Sequence, residues 1–158
     1  MGARHDIDFY RWTQEQAALL RTAHGDGRLD LDALAEEIED MGRSEIREIS
    51  RLLHQTLAHL IKIAVDPQAQ AVDHWFAEIL AFQGDAVIAA SPGLKQRLDL
   101  ETIWRVACNG ATRALARRSV AVPPLPKSCP LTLDQLLDPE FDPDRAAGVI
   151  WTIIAASR

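Results

Sequence analysis

The sequence predicts an all-α protein: a helical bundle of four main helices with a proline-rich strap and short C-terminal helices. Two observations carry this. From Leu29 to Lys62 the apolar side chains recur at a helical period, and nowhere in the chain do apolar and polar residues alternate as they would in a half-buried strand. Taking 100° per residue from Leu34, one broad sector holds Leu31, Leu34, Ile38, Met41, Ile49, Leu52, Leu53, Leu60 and Ile63, opposite Glu36, Glu39, Asp40, Arg43, Arg47 and Arg51.

The elements follow in order. Asp8 to Trp12 reads as a lead-in turn, and Thr13-Gln14-Glu15-Gln16 as a capping box that opens a first helix running to about Ala23. Glycines 25 and 27 break it. Asp30 caps the long second helix, which Asp66-Pro67 stops, and Gly42 within it marks close packing against a neighbouring helix. A third helix starts near Asp73, with Trp75, Phe76, Ile79, Phe82, Ala86 and Val87 on its inner side. Ser91-Pro92 starts a fourth, continued to about Arg118, on which Leu94, Leu98, Cys108 and Leu115 make one apolar face and Leu100, Ile103, Ala107 and Ala114 a second. Val120 to Pro130 holds four prolines, too many for a helix, and reads as a strap packed along the bundle. Thr132-Leu133-Asp134-Gln135 forms another capping box, and Asp142-Pro143 begins a last helix with Val149, Ile150, Trp151, Ile153 and Ile154 all round its axis. The expected core includes Leu34, Ile38, Met41, Ile49, Leu52, Leu60, Trp75, Phe82 and Leu98.

Three polar residues intrude on the inner stripe of the second helix: Glu45, Thr56 and His59. Carboxylate and imidazole are metal ligands, so a metal-dependent hydrolase using His59 with Glu45 or Glu48 is one reading. Glu45 and His59 stand roughly 21 Å apart along a helix axis at 1.5 Å per residue and cannot share an ion. The expectation is therefore no metal and no cofactor, with His59 hydrogen-bonded to another helix. Arg47 and His54, seven residues apart on one face, resemble the Arg-x4-6-His signature of the helical HEPN ribonucleases. Against that, Glu39 and Glu48 lie within helical pairing distance of the arginines, and a net charge of −6 sets the chain against RNA. Nucleic-acid binding through Arg105, Arg113, Arg117 and Arg118 meets the same objection, and cations near a helix C-terminus are favoured anyway.

Length and composition bound the rest. The 158 residues, 47% of them hydrophobic, suit one domain spanning 1–158 that buries a core without staples. Two cysteines, Cys108 and Cys129, make no disulfide framework or metal pattern, which points to the cytoplasm. The N-terminal stretch has no apolar signal core, and the run from Ala146 to Ala156 is too short to span a bilayer, so no membrane role is expected.

Asp8-Phe9-Tyr10 with Trp12-Thr13-Gln14-Glu15-Gln16, then Leu31 with Leu34 to Glu39, Met41-Gly42-Arg43-Ser44-Glu45, and His59-Leu60-Ile61-Lys62 together resemble a bacterial family, domain of unknown function 29. Ser91-Pro92 with Leu94, and Cys129-Pro130 with Thr132-Leu133-Gln135-Leu136-Leu137, extend the resemblance over about 7–143. It implies an all-helical bacterial protein and brings no activity with it. Ile63-Ala64 departs from the family pattern, and the apolar helix over 143–157 looks like an addition.

The function expected is a non-enzymatic helical module that self-associates, as a dimer, or binds a protein partner. The two-faced fourth helix and the apolar tail motivate it. The alternative is an enzyme, either the HEPN-like ribonuclease or the metal-dependent hydrolase. Within one chain, the tail could instead fold back onto the fourth helix.

Overall fold

The computed structural model describes residues 8–25 and 27–156, and among them are seven α-helices and no strand. They are α1 (Phe9–Thr22), α2 (Leu31–Val65), α3 (Val72–Ala89), α4 (Pro92–Lys95), α5 (Leu100–Ala116), α6 (Leu133–Leu136) and α7 (Pro143–Ala156). The chain groups into two compact units, one running to Ile49 and taking in Ala89–Leu98, the other holding Ser50–Ile88 and everything from Asp99 onward.

The first unit is built on close backbone approach. Its helix α1 starts five residues earlier than the Thr13 capping box predicts, because Asp8 accepts the Arg11 amide and caps it. Thr13 is instead fully buried inside the helix, its hydroxyl donating to the Tyr10 carbonyl at 2.7 Å. That hydroxyl faces Gly42 of α2, where an added Cβ would stand 2.3 Å from Thr13 Oγ1 and 3.2 Å from Tyr10 Cδ2. Gly42 is thus the close-packing glycine the sequence predicts. At Gly93 a Cβ would meet the Asp8 carboxylate at 2.3 Å, and Arg97 lies 4.3 Å over the Tyr10 ring. The buried face of α2 here runs through Ala35, Gly42 and Ile49. Contrary to expectation Leu34 and Met41 are exposed, at 42% and 52%, Ile38 is half-buried, and Glu45 faces outward. The phase is turned by roughly a quarter of the helix circumference from the sector centred on Leu34, because small residues occupy the contact.

The second unit is built on large side chains. Leu52, Leu53, Leu57, Leu60 and Ile61 of α2, Trp75 and Ile79 of α3, and Ile103, Trp104 and Leu115 of α5 are buried. Phe82, expected in the core, is half-buried. Thr56 is buried as expected and donates to the Leu52 carbonyl. The predicted fourth helix is really two: α4 ends at Lys95, and α5 starts afresh at Leu100, capped by Asp99 through the Thr102 amide. Leu94 and Leu98 therefore do not share a rod with Leu115, which removes the two-faced helix. No helix occurs between Ala116 and Leu133, and the strap there accepts the Trp104 indole N–H on the Pro126 carbonyl at 2.9 Å. The Thr132–Gln135 capping box forms with both reciprocal bonds. Buried Gln83 of α3 ties this turn down, donating to the carbonyls of Leu136 and Asp138. Asp142 caps α7 through the Arg145 amide, and α7 buries Ala146, Ala147, Ile150 and Ile154 while leaving Trp151 outside.

Candidate functional site

Polar and aromatic side chains converge in the second unit, where His59 and Lys62 of the last turns of α2 meet Trp75 and Glu78 of α3. One helical step of three puts His59 and Lys62 on the same face, and the same spacing puts Trp75 beside Glu78. His59, whose side chain is 12% exposed, reaches Glu78 Oε2 with Nε2 at 2.8 Å. Its Nδ1 lies 3.4 Å from Lys62 Nζ. The ring is nearly parallel to Phe82, with centroids 6.1 Å apart, and lies 6.5 Å from Trp75. On the outer side His74 Nε2 comes within 3.4 Å of the other Glu78 oxygen.

Burial first, and the Lys62 ammonium after it, push His59 down to about 4 against the opposing pull of Glu78. The imidazole is therefore neutral at pH 7, and its contact with Glu78 is a hydrogen bond to a carboxylate. An ammonium can only donate, so Lys62 fixes Nδ1 as the acceptor and places the ring proton on Nε2, facing Glu78. Lys62 is itself held below the usual lysine range, chiefly by burial. Lys62 Nζ stands 5.5 Å from the centroid of the Trp75 ring, and Arg118 Cζ stands 5.1 Å from the same ring.

His59 thus meets another helix through a hydrogen bond, as its place on the inner stripe predicts. Its carboxylate is Glu78, which sequence reasoning did not single out, since nothing in the spacing of Asp73, Glu78 and Asp85 along α3 marks one of them as facing His59. Glu45 and Glu48, named as its partners in the hydrolase reading, are both exposed residues of the α2 surface. Among the described residues no group of three or more His, Cys, Asp or Glu is placed to hold a metal ion. Arg47 is exposed and donates to Ser44 Oγ at 2.8 Å. His54 is half-buried near Gly110 of α5, and burial lowers its pKa. Of the arginines proposed for nucleic acid, Arg105 bonds Thr102 while Arg118 joins the Trp75 cluster. Cys108 and Cys129 are free thiols, and burial pushes each up to about 11, far from the thiolate a nucleophile needs.

Two other concavities flank α7. A groove of about 390 Å³ lies between Ile63, Ala64 and Pro67, Phe76, and the α7 residues Asp144, Ala147, Gly148 and Trp151. A smaller one, about 180 Å³, is lined by Leu131, Phe141, Arg145 and Val149 among others. No described helix is long and apolar enough to cross a membrane.

The family described as domain of unknown function DUF29 matches residues 5–142. A crystal structure of an alpha-helical protein of unknown function from Rhodospirillum rubrum is similar over 91% of this chain and 95% of that one, with 35% sequence identity and a TM-score of 0.84. None of the curated proteins compared with the chain matches it.

Proposed function

The chain belongs to the DUF29 family, and from that premise we propose that it is a bacterial cytoplasmic, non-enzymatic helical module that pairs with a second copy of itself through the outer face of α3. The observation that carries this reading is the row Leu80, Gly84 and Ile88. Leu80 is 55% exposed and Ile88 85%, and among the described residues nothing beyond the adjoining backbone of the helix itself and the two chain neighbours comes within 4 Å of a Cβ built at Gly84. Ala77 and Ala81 lie exposed beside them.

A glycine in the middle of a helix costs roughly 0.5–1 kcal/mol relative to alanine, and no neighbour among the described residues requires this one. Leu80 and Ile88 stand one i±4 step on either side of it, so the ridge is symmetric about Gly84. An antiparallel crossing on a two-fold axis there sets Leu80 of each copy beside Ile88 of the other, with the glycine letting the backbones approach. Self-complementarity of this kind is what an isologous dimer requires.

The tail helix carries less of the case than its sequence suggests, since four of its residues are buried within the chain and only Trp151 and Ile153 remain among its large exposed apolar side chains. The groove beside it is bordered by α2 and α3, where the folded-back tail was expected to lie on the fourth helix. A HEPN-like nuclease has weaker support, with Arg47 bonded to Ser44 and His54 half-buried by α5. A hydrolase built on His59 would have to use an imidazole already bonded to Glu78.

Light scattering on the chain and on Ile88→Glu and Trp151→Glu tests the proposal. A dimer that becomes monomeric in Ile88→Glu and persists in Trp151→Glu supports it. A monomeric parent chain overturns it, and loss of the dimer only in Trp151→Glu moves the contact to the tail and overturns the α3 face.

A further inference from the structure

We propose that Lys62 and Arg118, standing over the one indole of Trp75, form a binding site for a phosphate group, free or as a monoester. Three elements bring the parts together: Lys62 from the end of α2, Trp75 from α3, and Arg118 from just beyond the end of α5. The indole is 6% exposed and supplies a rigid floor. Two cations drawn to one ring repel each other, and the Arg118 charge adds to the burial that depresses Lys62, against the larger opposing pull of Glu78.

The nearby anion does not answer both charges. Glu78 is engaged by His59 at 2.8 Å and by His74 at 3.4 Å. Among the described residues no carboxylate lies within ion-pair distance of Lys62 or Arg118, so the guanidinium fork keeps its donors for another acceptor. The end of α5 is fixed in place, since the Val120 amide bonds the Leu115 carbonyl at 3.1 Å and Ser119 adopts a left-handed φ of 60° that a side chain normally avoids. A tetrahedral oxyanion matches this pair: guanidinium binds two of its oxygens in parallel, and the ammonium supplies a point charge.

His59 reports on occupancy. Its Nδ1 is 3.4 Å from Lys62 Nζ, so an anion bound there offsets the ammonium's field and moves the protonation midpoint of His59 upward from about 4.

Calorimetric titration with inorganic phosphate and with phenyl phosphate tests the site, on the whole chain and on Arg118→Gln, Lys62→Gln and Arg105→Gln. Saturable binding of one phosphate per chain is expected, weakened at least about tenfold in Arg118→Gln, as loss of a charge-assisted bidentate contact implies, and unchanged in Arg105→Gln. Tighter binding of phenyl phosphate identifies a monoester as the preferred form, and equal binding identifies free phosphate. Arg118 is exposed, so its variant keeps the fold, checked by circular dichroism, even where Lys62→Gln does not. NMR titration of His59 should show the upward shift with phosphate in the parent chain and none in Arg118→Gln. Absence of saturable binding, or equal weakening in Arg105→Gln and Arg118→Gln, overturns the proposal, the latter by reducing it to a diffuse surface field.

Discussion

The two units of this protein solve the same packing problem with opposite materials. In the first, α1 and α4 meet their neighbours through Gly42 and Gly93, and the small residues Thr13, Ala17, Ala35 and Gly42 share the buried face with Ile49, Leu94 and Leu98. In the second, Trp104, Trp75 and a run of leucines and isoleucines fill the interior. Apolar area removed from water dominates where side chains are large, and fit dominates where backbones approach closely. Removing volume should therefore damage the second unit most, whereas adding volume should damage the first.

The largest expected effect is Trp104→Ala, which leaves a cavity at a fully buried site and strands the Pro126 carbonyl. Urea unfolding should show a loss of about 3–5 kcal/mol. Gly42→Ala should come next. Overpacking against the buried Thr13 hydroxyl costs about 1–3 kcal/mol, which exceeds the gain of about 1 kcal/mol in helix propensity. A Gly42→Ala chain as stable as the parent would mean that Thr13 moves aside without loss, and the contrast between the units would fall.

A smaller effect depends on pH. His59 is depressed to about 4 in the folded chain, below the ordinary value of about 6.5 for an unfolded histidine. The stability this contributes is present above pH 6.5 and is lost as pH falls towards 4, because the unfolded chain takes up a proton that the folded chain refuses. His59→Gln should flatten the stability profile across that window in urea titrations. Leu34→Ala and Met41→Ala sit at the bottom of the order, within about 0.5 kcal/mol of the parent, since both side chains are exposed.

The contrast between the units also explains what could be read in advance. The second half of α2 was legible because Leu52, Leu53 and Leu60 outweigh everything around them in any hydropathy pattern. In the first half the contact runs through Ala35 and Gly42, which such a pattern hardly registers, so Leu34 and Met41 drew the predicted face away from the true one. The two Thr-x-x-Gln patterns make the same point about local chemistry. At Thr132 no stronger cap precedes the box and it forms, whereas at Thr13 an aspartate five residues upstream has already started the helix. The inward turn of His59 followed from its phase on α2. Its surroundings did not: Glu78 comes from another helix, and Arg118, over the neighbouring Trp75, comes from just beyond the end of α5, placements that no local pattern encodes. Trp104 was overlooked for a related reason, since its acceptor is a carbonyl of the proline-rich strap.

The pairing of two copies through α3 is tested most directly by NMR on a sample mixed from two batches, one carrying labelled isoleucine and leucine methyl groups and the other unlabelled in a complementary scheme. Magnetisation transfer between Leu80 of one copy and Ile88 of another is the predicted result, because the i±4 ridge is symmetric about Gly84. A chain that sediments as a dimer yet gives no transfer between these methyl groups, or one that is monomeric throughout, would contradict the account.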